Sequence, residues 1–235
     1  MAPSEDRERS LRSRVGSNIR QMILRGELQP GERLLQQHLA KQFGVSQSVM
    51  REALLEVQFT GLVESVNGIG ASVAKIDIAQ LFNAYEVREM LEGLAARLCC
   101  AQASPADIRE LTSVANEVHA LGLADKRQER AQLDRHFHER TIAIANNSVL
   151  ERLSGGYHIV RLVVLKNVPH EQLLADHLGI VEAIKNNDCD AAERIARRHV
   201  ISAREMVRRE IESNDMAFPW PVGNKGAGGA ESASA

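Results

Sequence analysis

The chain has 235 residues, 44% of them apolar and only 3% aromatic, with a formal net charge of -2 at pH 7. That is enough for two modest cores built from Leu, Ile, Val, Ala and Met, a mix that favours helices over sheets. No apolar run approaches the roughly 18 residues of a membrane span, the charged start MAPSEDRERS lacks a signal-peptide core, and three cysteines without framework spacing argue for a reducing compartment, so a cytoplasmic protein with no membrane partner is expected.

Residues 1–9 are polar and expected to fray. Leu11, Val15, Ile19, Met22 and Ile23 then recur at helical spacing, and Gly26 ends that helix. Leu28-Gln29-Pro30-Gly31 reads as a turn. A short helix from about Gln36 to Phe43 stops at Gly44, and Ser46 can cap a further helix from about Gln47 to Thr60. Leu62 to Val66 alternates as a strand does, Asn67-Gly68 is a hairpin signal, and Ala71 to Ala74 reads as the return strand. The expectation over residues 10–75 is three helices and a two-stranded wing.

Leu35, Leu39, Val45, Val49, Leu54 and Leu55 sit where the second and third helices would cross, with Gly44 at the turn between them. The N-terminal end of the third helix would then face outward with Gln47, Ser48 and Arg51. Arg can hold a guanine edge with two hydrogen bonds and Gln an adenine edge, while phosphates favour helix N-termini. Between Ser10 and Lys75 there are eight Lys/Arg against five acids, a surplus of three positive charges on an otherwise acidic chain. A plain helical hairpin would explain the segment about as well; the wing favours double-stranded DNA as the partner.

From Asp77 the pattern is helical throughout, with helices expected at about 77–102, 105–122, 126–146, 148–167, 170–187 and 189–212. Ser104-Pro105, Leu123 to Asp125, Asn146-Asn147, Val168-Pro169 and Asn186 to Asp188 separate them. Short connections suggest an antiparallel six-helix bundle over residues 76–213. The Gly-, Ala- and Ser-rich segment 214–235 is expected to be disordered. The fold class is mainly α: an N-terminal winged helix-turn-helix and a C-terminal all-α antiparallel six-helix bundle.

Eight histidines lie along the chain. Asp134 and His138 are four apart and share a helix face. With two His from facing helices they could enclose a divalent ion, since imidazole suits zinc or nickel and a carboxylate also accepts manganese. Asp-His pairs at this spacing are more often surface ion pairs, and spacing alone does not select His177 and His199 over His158 or His170. Arg161 sits in an apolar run, Ile159 to Leu165, where a charge is costly unless paired.

The run Ile23 to Leu34 (ILRGELQPGERL) resembles the opening signature of the GntR family of bacterial regulators. Leu39-Ala40, Phe43-Gly44-Val45-Ser46, Met50-Arg51-Glu52-Ala53-Leu54 and Gly61-Leu62-Val63 follow it in order and at family spacing. The segments Asp134-Arg135-His136-Phe137-His138, Asn146 to Leu150, Asp176 to Ile184 and Asp188 to Ala192 leading to His199 resemble the FCD effector domain of the FadR subfamily, and the count of six helices its VanR-like branch.

The resemblance implies a ligand-responsive regulator, a repressor first and an activator as the alternative, rather than an enzyme; because half-site readers pair, binding to a two-fold operator as a homodimer is expected. It implies DNA contacts at Arg33, Gln37, Ser46, Gln47, Ser48, Arg51 and Gly70. It also implies a divalent transition metal, zinc foremost with nickel or manganese as options, held by Asp134, His138, His177 and His199. A small carboxylate effector would be met by Arg88 and Arg161. Three positions depart from the family pattern: Gln37, Gln47 and Ile69 stand where Arg is usual, so the usual half-site is not implied. A metal-sensing regulator and, far behind it, a metal-dependent enzyme with a fused helical module are the competing readings.

Overall fold

The computed structural model describes residues 3–24, 27–66, 70–75, 77–154 and 168–213. The Asn67-Gly68 turn, Ile69, Arg161, the second part of the helix expected at 148–167 and the segment 214–235 lie outside the described residues.

Helix α1 (Pro3–Leu24) starts well before Leu11, the first residue of its apolar stripe. Apolar periodicity marks where a helix is buried, not how far it extends, and proline suits a first helical turn. Val15, Ile19 and Ile23, four residues apart, are buried in one cluster with Met50, Ala53 and Val57. Burying each large side chain contributes about 1.5–3 kcal/mol. On the flank of this contact Arg12 pairs with Glu52 at 3.0 Å and Glu56 at 2.5 Å.

Helix α2 (Gln36–Phe43) ends at Gly44, whose φ of +63° is open to glycine at little cost. Helix α3 (Gln47–Gln58) is capped by Ser46, whose Oγ accepts from the Val49 amide at 3.2 Å. Such a cap is worth about 1 kcal/mol. Two of the six expected crossing residues do not pack: Leu35 is 61% and Leu55 48% exposed. The buried stripe of α3 runs through Met50, Ala53, Leu54 and Val57, which places Leu55 outside it. Leu35 precedes α2 as its cap.

The sheet has three strands, where the sequence suggests two. Strands β1 (Arg33–Leu34), β2 (Val63–Val66) and β3 (Gly70–Val73) lie in the order β1-β3-β2, antiparallel throughout. Arg33 pairs with Ser72, and Val63 with Val73. The wing's return strand is therefore the middle strand. Two residues are too short to show alternation, and their partner lies almost forty positions away.

The described helices beyond are α4 (Ile78–Gln102), α5 (Pro105–Leu123), α6 (Arg127–Ile144), α7 (Ser148–Ser154), α8 (His170–Lys185) and α9 (Cys189–Glu212). Side-chain caps fix the starts of α4, α5 and α9, while α6 and α8 have none. Asp77 with Gln80 and Ser104 with Asp107 form reciprocal capping boxes, and Asp188 accepts from the Ala191 amide. Asp125, Asn146 and Asn187 reverse the chain between helices with positive φ, a conformation Asn and Asp tolerate.

α4 lies antiparallel to α9, and ion pairs mark the register: Arg97 with Asp190 at 2.5 Å and Glu193 at 3.1 Å, Glu89 with Arg197 at 2.9 Å, Glu86 with Arg204 at 3.6 Å. The core of this unit gathers Ala95, Ala96, Cys99, Leu111, Val118, Phe137, Ile180 and Ala192. No helix among the described residues is long and apolar enough to cross a membrane.

Candidate functional site

Three helices bring one side-chain cluster together. α6 supplies Asp134 and His138, one turn apart; α8 supplies His177 and α9 supplies His199. One ligand atom from each lies within 4.8 Å of those from the others. The imidazole centroids are 5.5 Å apart for His138 and His177, 5.1 Å for His138 and His199, and 4.8 Å for His177 and His199. Phe137, itself fully buried, stacks on His177 at 4.2 Å and fixes that ring.

The polar atoms at the centre are orphaned. Asp134 Oδ1, His138 Nε2 and both ring nitrogens of His177 are buried without a hydrogen-bond partner. An unmet buried polar atom costs about 1–3 kcal/mol, so a convergent set of them fits an ion that all can reach. Three imidazoles and one carboxylate are a donor set suited to a divalent transition metal. Protonation is compatible with this: burial pushes His177 well below the usual histidine range, leaving it neutral. Burial alone would raise Asp134, but the facing His138 and His199, with Arg88 behind them, outweigh it and hold the carboxyl below its ordinary value.

Two further carboxylates stand behind the cluster. Glu92 of α4, 5% exposed, lies 2.7 Å from His138 Nδ1, which leaves Nε2 aimed at the centre. Asp176 lies 3.7 Å from His199 Nδ1 and is itself held by Arg198 and Gln172, each at 2.9 Å. Carboxylates behind metal-binding imidazoles fix the ring and raise its basicity. Glu92 stays ionised, well below the usual carboxylate range: burial opposes this, but Arg88 and His138 prevail.

A cavity of about 70 Å³ adjoins the cluster, lined by Tyr85, Arg88, Arg130, Asp134, His199 and Met206 among others. Arg88 is ion-paired with Glu92, and it faces this cavity. Arg130 is 4% exposed, and burial lowers its guanidinium pKa against the pull of Asp134 and Glu210. Tyr85 is pushed up to about 12 by burial, so its hydroxyl stays protonated.

At the other end of the molecule, Gln47, Ser48 and Arg51 are exposed on the first turns of α3, and Gln37 is exposed on α2. Arg33 is exposed on β1 and Gly70, with φ +105°, on β3. The Ser46 hydroxyl is engaged in its cap. The Gln47 carbonyl accepts from Gln36 Nε2 at 2.8 Å, tying the start of α3 to α2.

The chain matches the family model "Bacterial regulatory proteins, gntR family" over residues 11–73 and that of the FCD domain over residues 83–202. The chain belongs to the GntR family, with an FCD domain. Among relatives of this GntR-family protein, the HTH-type transcriptional repressor RspR of Escherichia coli is 28% identical over 208 residues, spanning 85% of this chain and 90% of the relative. A probable D-xylose utilization operon transcriptional repressor of Paenarthrobacter nicotinovorans is 27% identical over 201 residues, covering 82% and 88%. The structure of E. coli McbR/YncC shares the fold at a TM-score of 0.64 and 19% identity, covering 86% of this chain and 98% of its own. This GntR-family chain is a DNA-binding transcriptional regulator, and its FCD domain carries a cluster that could hold a metal.

Sequence reasoning about this GntR-family regulator undervalued Glu92, Asp176 and Arg130. Glu92 was visible as the i+4 partner of Arg88, but its contact with His138 crosses from α4 to α6. Asp176 is next to His177 in sequence, but its carboxylate turns to the imidazole of His199. Arg130 lies one turn before Asp134 on α6, a stripe spacing that could have marked it.

A Glu92→Gln variant tests the supporting layer. Gln keeps an oxygen for His138 but leaves Arg88 buried without its counter-charge. The dissociation constant for zinc is expected to rise about 10–100-fold, read by competition with a chromophoric chelator. Unchanged affinity would show that Glu92 does not hold His138 in place.

Proposed function

We propose that this regulator is a ligand-responsive repressor, homodimeric on a two-fold operator, whose FCD domain holds a divalent metal and a small carboxylate. Asp134, His138, His177 and His199 hold the metal, with zinc the first choice and nickel or manganese compatible with the same donors. The metal would offer a Lewis-acidic seat for a carboxylate oxygen. Arg88 meets the effector from the cavity wall, as a planar fork suited to carboxylate. Arg161 is retained as a second effector contact on its sequence context alone. Arg33, Gln37, Ser46, Gln47, Ser48, Arg51 and Gly70 form the DNA-facing surface, in a cytoplasmic protein.

The observation that carries this reading is the sharing of residues: Asp134 and His199 belong to the ligand cluster and also line the cavity that Arg88 and Arg130 face. A ligand there would touch the metal and the arginines together. Its effect on DNA follows if it favours one arrangement of the paired DNA-binding domains. RspR and the P. nicotinovorans relative, both named repressors, support repression as the direction.

The test is a melting-temperature screen of short mono- and dicarboxylates against zinc-loaded protein. At 100 times its dissociation constant an effector stabilises by about 2.7 kcal/mol. A rise of several degrees is therefore expected for the right acid, lost after chelation, together with release of an operator fragment in a gel shift. An acid that binds equally well without metal would overturn the shared site, and a regulated fragment held more tightly with effector would overturn release.

A further inference from the structure

Outside the metal cluster and the DNA face, the two partly exposed cysteines sit on neighbouring helix ends. Cys100 lies near the end of α4 and Cys189 is the first residue of α9, on helices that run antiparallel. The ion pairs that set their register join Arg97, one turn before Cys100, to Asp190, next to Cys189, and to Glu193, one turn beyond it. Continuing that register brings position 100 opposite position 189, close enough for the Cys189 thiol to act on the Cys100 thiol, while each sulfur's own hydrogen bond goes elsewhere, Cys100 to the Ala96 carbonyl and Cys189 to Asn187. Cys99, by contrast, is fully buried and its Sγ contacts the Thr141 carbonyl at 3.1 Å. All three thiols are free.

We propose that Cys100 and Cys189 form a reversible redox cross-link site, closing to an intramolecular disulfide that ties the end of α4 to the start of α9 when the protein meets a peroxide. The chemistry balances with hydrogen peroxide as oxidant. Cys189 sulfur attacks one peroxide oxygen, the O–O bond breaks and water leaves, giving a sulfenic acid. Cys100 sulfur then attacks the Cys189 sulfur, and the sulfenic oxygen leaves as a second water with the last thiol proton. Two thiols lose two electrons and two protons, and one peroxide becomes two waters.

Burial supplies selectivity. The Cys100 thiol is pushed up to about 12 by burial and by Cys189, and the Cys99 thiol up to about 12 by burial and by Cys100. Neither is a ready first target, because the thiolate is the nucleophile. Cys189, at the outer edge beside the Asn187 carbonyl, is the entry point. Closing the second step needs the Cys100 thiolate, so cross-linking should accelerate as pH rises through the neutral range. The link encloses residues 101–188, the segment carrying Asp134, His138 and His177, without using any metal ligand.

The reduced full-length protein, loaded with zinc, is treated with hydrogen peroxide and then alkylated. Loss of two hydrogens from the intact monomer is expected, with one alkylatable cysteine left. The Cys99→Ala variant should still cross-link, and Cys100→Ser and Cys189→Ser should not. The melting midpoint of the oxidised monomer should rise by roughly 5–10 °C and fall back with dithiothreitol. A link that persists in Cys100→Ser, a covalent dimer in place of the internal bond, peroxide products confined to sulfinic acids, or a lowered midpoint on closure would each overturn the site.

Discussion

Replacing His177 with alanine is expected to strip the protein of its metal. His177 is fully buried, stacked on Phe137, and has both ring nitrogens without a protein hydrogen bond. A buried imidazole with nothing to bond is a costly choice unless something else takes its lone pair. Residues standing behind metal ligands are worth about 10–100-fold in affinity; a ligand itself should exceed that, so zinc retained by the native protein through dialysis should be lost from His177→Ala. Elemental analysis and chelator competition measure this directly.

Stability should follow the metal. At 1,000 times its dissociation constant an ion contributes about 4 kcal/mol, so adding chelator should lower the melting midpoint of the native protein by roughly 10 °C. The same chelator should leave the midpoint of His177→Ala unchanged. His138→Ala serves as the second variant, because its ring does not stack on Phe137 as that of His177 does and its truncation disturbs the core less. Full metal content in both would remove these residues from the ligand set.

The second large effect is at the DNA end. Arg51→Ala is expected to weaken a specific operator complex by about 1–3 kcal/mol, a factor of roughly 5 to 150. Arg51 is exposed one turn into α3, and the helix is held at its N-terminus by the Ser46 cap and by Gln36 on the Gln47 carbonyl. Binding to unrelated DNA should change much less, since that term comes from phosphate charge. Quantitative gel shifts on the genomic fragment upstream of its own gene, with and without competitor, separate the two. Equal losses on both DNAs would make Arg51 a phosphate contact instead. Gln47→Arg, restoring the residue usual in the family, should shift base preference without lowering affinity.

Where the chain could be read in advance, local chemistry did the specifying. α2 and α9 begin and end where the sequence puts them, because Gly44 stops one and Asp188 caps the other. The three positive-φ Asn and Asp positions all fall in expected breaks. Strand β1 was illegible because its two residues are made a strand by a distant partner, and α1 reaches beyond its apolar stripe because burial and helicity are separate properties. At the cluster, spacing showed Asp134 with His138 and nothing more. The choice of His177 and His199 came from family resemblance, and the structure brings those four side chains together. Glu92 and Arg130 carry only a partial local mark, each one turn from a residue already singled out, because the contact of one crosses helices and the burial of the other is set by its surroundings.

Helix α6 carries Arg130, Asp134 and His138 on consecutive turns of one face. Cavity wall, shared carboxylate and imidazole ligand are thus fixed to one rigid rod. Under the proposed occupancy, whatever the effector does to metal affinity, the metal must do to effector affinity by the same factor. A cell short of the metal would then hear its carboxylate signal faintly, and a cell rich in the acid would hold its metal harder.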